Sequence, residues 1–294
     1  MSTADTADRL CLLTVHAHPD DESSKGACTV ARYAAEGVRT VLVTCTGGEV
    51  GAGFGRVGGR VEDLPRLAAV RMRELDAAVK IIGYEAVHLL GYHDSGMPDT
   101  EVNARPDNFA NAPFEEAVGR LVEVVRAERP QVIITYGEDQ SRYPHPDHLR
   151  VHDISVEAFE AAGDAERFPD AGPPFEPSKL YYVSAFTRDR LAFLHAYLVD
   201  QGIESPFEGW LESFPKDWRD PSTTRIDVRD VFHVRREALL AHATQVAPDS
   251  IWFKVPEETL MQEFPWEEFV LARSRVDETV PPEGWETDLF AGIR

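Results

Sequence analysis

Two short segments of this chain concentrate side chains able to hold a divalent cation. His16-Ala17-His18-Pro19-Asp20-Asp21-Glu22 and Tyr143-Pro144-His145-Pro146-Asp147-His148 are both dense in imidazole and carboxylate, and both contain proline, which stiffens a turn. His18 and Asp21 are three positions apart, a spacing at which one turn can aim both at a single point, and His148 can enter from the second segment. Two imidazoles and one carboxylate fill three positions of a tetrahedral zinc site and leave the fourth for water, the arrangement of catalytic rather than structural zinc. The same donors also match the facial triad of non-haem iron(II) oxygenases. His152, four residues beyond His148, is an alternative imidazole ligand. The non-catalytic alternative is that Asp20, Asp21 and Ser23 merely cap a helix. Two such clusters in one chain, each at the end of an expected strand, favour the metal.

Those strands are legible as apolar runs. Residues 10–15, 38–44, 86–90 and 132–136 are short and almost continuously hydrophobic, as expected of strands buried on both faces. Between them lie helical patterns over 23–36, 64–82, 114–128 and 148–162, the first two stopped by Gly37 and Gly83, the third bounded by Pro113 and Pro130. A glycine-rich loop covers 47–59. This alternation predicts an α/β fold: a Rossmann-like three-layer sandwich around a mostly parallel sheet. Facial-triad oxygenases normally use a β-barrel, so the expected sheet weighs against them. Both metal-ligand segments follow strands, where α/β sheets gather ligands. Beyond residue 162 the pattern loosens into a proline-rich loop over 169–177, a further strand over 180–184, and helices joined by Pro- and Trp-rich loops. The expectation is a metal-binding core over 1–165 and a C-terminal elaboration over 166–294 that completes the same domain and the substrate cleft.

Lys and Arg total 30 against 51 Asp and Glu, a formal net charge of −21. Such a surface repels phosphates and argues against nucleic-acid and anionic-membrane partners. No apolar run reaches the roughly 20 residues that span a bilayer, and the polar, acidic N-terminus lacks a basic segment leading into an apolar one, so a cytoplasmic location is expected. Cys11, Cys28 and Cys45 form no CxxC pair and read as small buried hydrophobes in a reducing compartment. Monomer and homo-oligomer are both compatible with the sequence.

The paired motifs His18-Pro19-Asp20-Asp21-Glu22 and His145-Pro146-Asp147-His148 resemble the zinc-dependent N-acetylglucosaminyl deacetylase superfamily, and within it the mycothiol enzymes. The likeness extends through Ser23-Ser24-Lys25-Gly26, Asp94-Ser95-Gly96-Met97, Ala241-His242-Ala243-Thr244-Gln245 and the stretch 266–276, so it covers nearly the whole chain. It implies an amide hydrolase in which His18, Asp21 and His148 hold Zn²⁺, with Fe²⁺ the alternative metal. It further implies Asp20 as general base, Tyr143 as an oxyanion donor, and His145, oriented and kept cationic by Asp147, as the acid that protonates the departing amine. Arg71 and Asp94 match positions that bind sugar or inositol hydroxyls, and Glu49 is a weaker candidate for the same task. Lys25, which the resemblance places against the acyl-cysteine side of the substrate, stands where the deacetylase branch carries a smaller polar residue; with 264–273 it favours the branch that cleaves mycothiol S-conjugates into a mercapturic acid and glucosaminyl-inositol. The alternatives are deacetylation of the mycothiol precursor and, in another class, a catalytically silent thiol-sugar binding protein. One departure stands out: where that branch continues Arg-Gly-Asp after Gly47-Gly48-Glu49, in a loop bordering the cleft, this chain has Val50-Gly51-Ala52. His16 reads as structural, and His242 as either cleft-facing or helix-bound. The aromatic residues at 252, 253, 264, 266 and 269 read as core, with a wall for an apolar S-substituent as the alternative.

Overall fold

The structure, a computed structural model, describes residues 9–51, 64–138, 143–277 and 284–294. Most of the glycine-rich loop, including Ala52, lies outside the described residues. The sheet is built from β1 (Cys11–His16), β2 (Arg39–Thr46), β3 (Ala86–Tyr92), β4 (Val132–Tyr136), β5 (Lys179–Val183), β6 (Thr224–Asp227) and β7 (Trp266–Ser274). Their order is β3-β2-β1-β4-β5-β7-β6, with the first five parallel and β7 antiparallel to both neighbours.

The central strands are hydrophobic throughout because both faces are covered. Along β1, Cys11, Leu13 and Val15 enter one core and Leu12 the other, as the two-residue pleat requires. The first core is closed by α4 (Phe114–Glu128) and α5 (Pro146–Ala161), through Leu121, Val125, Val151 and Ile154. The second is closed by α2 (Ala27–Ala35), α3 (Leu64–Ile82) and α8 (His233–Ala241), through Val30, Tyr33, Ala78 and Val234. A satellite core joins α6 (Arg188–Asp200), α7 (Glu208–Glu212) and α9 (Glu257–Glu263) around Leu191, Leu198 and Phe207. The three cysteines are buried and free, as their spacing suggested.

Two expectations are corrected. The helix expected over 23–36 is broken: α1 (Asp21–Ser24) ends at Lys25, and Gly26, at φ 94°, turns the chain into α2. That left-handed backbone favours glycine, and the kink lets Asp21 leave the line of α2 and face the sheet. The C-terminal part was read as helices and loops after residue 184, yet it returns β6 and β7 to the sheet. Trp266 to Ser274 carries charges that disguise a strand; Phe269 packs inward, while Glu268 is buried but bonded to Arg225 and Thr187.

The returning segment is fastened by a buried polar knot. Lys179 on β5 donates to Glu286 at 2.7 Å, and Tyr181 and Thr224 donate to the other oxygen of that carboxylate at 2.7 and 2.8 Å. Removing one partner of a buried pair strands the other. Lys179→Met is therefore expected to destabilise the chain by about 3–5 kcal/mol, read from denaturant unfolding. A loss below about 1 kcal/mol would show that the knot contributes little net stability.

Among the described residues, no helix is long and apolar enough to cross a membrane.

Candidate metal centre

From β1 the chain proceeds outward to β2 and β3; β4 and β5 lie on β1's other side. The gap beyond the ends of β1 and β4 is thus the topological switch point, the place where α/β sheets leave a crevice. Both His/Asp segments emerge there.

The first segment makes a tight turn. Asp20 sits at φ 115°, with its backbone N–H donated to Glu22 Oε2 at 2.8 Å. Its side chain does not cap α1; the carboxylate instead accepts from Arg71 Nη2 at 2.9 Å. The capping alternative therefore fails for Asp20. Asp21 Oδ2 accepts the backbone N–H of His18 at 3.0 Å, which closes the turn and brings both side chains to one side. In the second segment, His145 is the N-cap of α5 and Pro146 occupies its first turn. Asp147 and His148 follow, so the cap geometry fixes where all three polar side chains leave the helix.

The segments converge. His18 Nδ1 lies 3.4 Å and His148 Nε2 3.3 Å from Asp21 Oδ2. All three side chains are buried, and their donor atoms lie within 4.8 Å of one another. His148 Nε2 is buried without a hydrogen-bond partner. An orphaned imidazole nitrogen beside a carboxylate and a second imidazole is what a metal ion would satisfy. His152, the alternative ligand, instead engages the Tyr136 carbonyl through Nδ1 at 3.0 Å.

Electrostatics point the same way. Burial opposes a charge on His18, but Asp94, Asp147 and Asp21 outweigh it and hold this imidazole well above its ordinary range. Burial likewise opposes ionisation of Asp21, yet Lys25 and the two imidazoles keep its carboxyl well below the usual carboxylate range. Burial lowers His148, against the pull of Asp21, which favours the neutral ligand form. The pocket is built to receive positive charge, and a cation supplies what a proton on His18 otherwise does.

Hydrogen bonds from behind the triad orient it. His18 Nε2 lies 3.1 Å from Asp147 Oδ2, which directs Nδ1 toward Asp21. The Asp147 carboxylate also accepts from the backbone N–H of Ser95, at 3.0 Å, and from its hydroxyl. His18, Asp94, His145 and Asp147 form another close group of donors. Its carboxylates are already committed, however: Asp94 accepts from Gly96 N–H at 2.8 Å and Val50 N–H at 3.2 Å. This group is a hydrogen-bonded support. Asp147→Ala is expected to weaken metal affinity by about 10–100-fold, measured by chelator competition. An unchanged affinity would remove Asp147 from the support of His18.

The expected pairing of Asp147 with His145 is corrected. The carboxylate of Asp147 serves His18 and Ser95, and its link to His145 is through the backbone N–H, which donates to His145 Nδ1 at 3.2 Å. Burial and the neighbouring His18 charge push His145 down to about 4. Its ring is therefore neutral, with Nδ1 occupied and the proton on Nε2. Tyr143 is half exposed; its ring stacks on His145 at 5.9 Å and meets His148 edge-on at 5.2 Å. Burial and the nearby carboxylates push its phenol up to about 12, so it remains a hydrogen-bond donor.

The expected substrate-binding residues divide. Lys25 reaches the centre: its Nζ donates to Asp21 Oδ1 at 2.5 Å and lies 5.6 Å from the Tyr136 ring centroid. Arg71 is buried beneath the turn, donating to the Gly48 and Pro19 carbonyls and to Asp20. Gly48 has φ +63°, and a Cβ there would fall 2.3 Å from Arg71 Nη1, so glycine is required. Asp94 and Glu49 are buried too, and Glu49 Oε1 accepts from Asp94 N–H at 3.1 Å and pairs with His93 at 2.8 Å. These three hold the loop that carries Val50. Motif reading missed Ser95 as the anchor of Asp147. It also missed the pairing of Glu22 Oε1 with His242 Nε2 at 2.7 Å, which resolves His242 as a buried support of the turn. His16 is structural as expected, with Nδ1 3.2 Å from the Tyr136 hydroxyl.

An α/β chain with this buried triad and flanking carboxylate at its switch point falls among hydrolases of amide bonds, the class of its relatives. Residues 13–159 match the family described as PIG-L, GlcNAc-PI de-N-acetylase. The chain belongs to that family. It is 44% identical over 294 residues to mycothiol S-conjugate amidase of Streptomyces coelicolor, covering 98% of each chain. It is 38% identical to 1D-myo-inositol 2-acetamido-2-deoxy-alpha-D-glucopyranoside deacetylase of Rhodococcus erythropolis, covering 98% of this chain and 99% of that one. Among solved structures it resembles N,N'-diacetylchitobiose deacetylase from Pyrococcus horikoshii, with a TM-score of 0.63 at 18% identity, covering 92% of this chain and 86% of the other.

Proposed function

We propose that this chain is a zinc-dependent amidase that hydrolyses a mycothiol S-conjugate to an N-acetylcysteine S-conjugate and glucosaminyl-inositol. The observation that carries amide hydrolysis is the convergence of His18, Asp21 and His148, with Asp20 beside them. The amidase is favoured over the deacetylase by 44% against 38% identity across nearly the full chains, and by Lys25 seated on the triad.

His18 Nδ1, Asp21 Oδ2 and His148 Nε2 are the atoms that would hold the metal. Bound there, a divalent cation acidifies water and polarises the amide carbonyl. Asp20 accepts the proton of the attacking water. Burial raises its pKa against the opposing pull of Arg71, which moves the base toward working pH. The Tyr143 hydroxyl and the Nε2–H of His145 donate to the oxygen on which charge develops. With His145 neutral, the proton taken by Asp20 is the one returned to the leaving amine, so one carboxylate serves both steps. Arg71 holds Asp20 in place throughout.

The test is to incubate purified, zinc-loaded protein with a mycothiol S-conjugate and, separately, with N-acetylglucosaminyl-inositol, and to weigh the products. Mercapturic acid and glucosaminyl-inositol from the first are expected at the higher kcat/KM. Acetate from the second as the only product would establish the deacetylase instead. Full zinc occupancy with neither turnover would leave a binding protein, a reading the retained Asp20, Tyr143 and His145 argue against.

A further inference from the structure

The C-terminal elaboration lines a partly open cavity of about 240 Å³ that the chemistry above does not use. Its walls include Phe186, Leu194, Trp210, Trp252 and Leu260, on the helices and loops of the satellite core. Two cations interrupt this apolar lining. Arg190 and Arg235 border the cavity together with Ala185, and the same three residues border a smaller neighbouring cavity of about 20 Å³. The smaller cavity is also lined by Ser24 and Gly26. Those residues flank Lys25, whose Nζ bonds both Asp21 and Ser24 Oγ. Ser24 thus links the triad, through Lys25, to the smaller cavity, and Ala185, Arg190 and Arg235 form the wall that the two cavities share.

Both arginines lay their guanidinium groups over rings, and Arg190 also lies 3.9 Å from the buried carboxylate of Glu268. Arg190 lies 4.7 Å from the Phe264 ring centroid and Arg235 5.2 Å from that of Trp252. Arg190 Nη2 donates to the Trp266 carbonyl at 2.9 Å, but its Nε is buried with no acceptor. Burial lowers this guanidinium to about 10, so an acceptor for Nε would relieve a real desolvation cost. An apolar cavity of roughly 150 Å³ already accepts benzene, and this one is larger. Its volume, aromatic walls and one idle donor suit a ring-bearing apolar group that carries an oxygen.

We propose that this cavity receives the group on sulfur in the thioether substrate, and that it selects aromatic or alicyclic substituents over small alkyl ones, with Arg190 Nε donating to an oxygen of the bound ligand. The assignment deepens the amidase reading and rests on it for the source of the thioether. Of the C-terminal aromatic residues read as core, it makes Trp252 part of a substrate wall, while Phe269 stays in the core.

The experiment compares mycothiol conjugates carrying S-methyl and S-naphthylmethyl groups in the full-length, zinc-loaded chain. The naphthylmethyl conjugate is expected to have the higher kcat/KM by at least about tenfold, since filling an apolar pocket discriminates at that scale. Leu260→Trp and Ala185→Leu, which fill the cavity from different sides, are expected to bring the ratio to within about twofold of one. Calorimetric binding of N-acetyl-S-(naphthylmethyl)cysteine reads the cavity without turnover and is expected to be lost in both variants. Circular dichroism identifies a misfolded variant, in which case the other carries the comparison. Equal kcat/KM for both conjugates, or product binding indifferent to both fillings, overturns the cavity assignment and leaves the amidase reading standing. Absence of any conjugate hydrolysis, with mercapturate binding that the fillings abolish, overturns the amidase reading and supports the cavity.

Discussion

Replacing His148 with alanine is expected to empty the metal centre. The wild-type chain should retain close to one zinc per protein after exhaustive dialysis, and His148→Ala about a tenth of that or less under the same conditions. The reason is geometric. Three donors converge with His148 Nε2 as the buried, unpartnered one, and its loss leaves only two. Hydrolysis should fall by at least about 10³-fold, because the cation's polarisation of the carbonyl is worth several kcal/mol. The fold should survive: α5 is fixed by Val151, Ile154 and Ala158 in the core, and its N-cap is His145. Metal content by atomic emission and turnover must therefore fall together. Full zinc occupancy in the variant would place the metal on other atoms, and the group of His18, Asp94, His145 and Asp147 would be the next to test.

Asp20→Asn separates chemistry from metal binding. Asn tolerates positive φ better than most residues, so the backbone at φ 115° loses little. The new amide oxygen can still accept from Arg71, and Arg71 keeps its bonds to the Gly48 and Pro19 carbonyls. What disappears is the capacity to take a proton. The expected result is undiminished zinc content with kcat/KM reduced by about 10²–10⁴-fold. The loss should sit in kcat more than in KM, since a general base acts in the transition state. Near-normal turnover with zinc retained would transfer the base role away from Asp20, and the single-carboxylate scheme would fall with it.

The pair of variants also tests the correction at His145. If Asp20 alone carries the proton in both directions, its loss should exceed that of His145→Phe, which removes one donor to the oxyanion. A cationic His145 acting as a separate acid would instead make the two losses comparable. Its Nδ1 accepts the Asp147 N–H because it caps α5, and a nitrogen occupied in that way carries no proton.

Much of this protein was determined locally. Near-continuous apolar runs fix β1, β2 and β4 wherever they sit, because no other arrangement hides both faces of such a strand. The order of polar residues after β1 and β4 dictates two turns, and the chemistry of those side chains leaves few uses besides a metal. Here sequence was sufficient because strand, turn and cap are decided by neighbours within a few positions. Tertiary structure alone decided the rest. Whether Asp147 would serve His145 or His18 depended on Ser95, 52 positions away along the chain. Arg71 matched a position that binds sugar or inositol hydroxyls, yet packing buries it under Asp20, 51 positions away. β7 was hidden because its charged residues find partners in Arg225, Thr187 and Thr29, which allows a polar sequence inside a sheet. The large cavity arises only where α6, α7 and α9 come together with Arg235 of α8. Long-range partners satisfy polar groups that local pattern must assume are solvated, and that is why the hydrogen bonds supporting the triad could be read only from the folded chain.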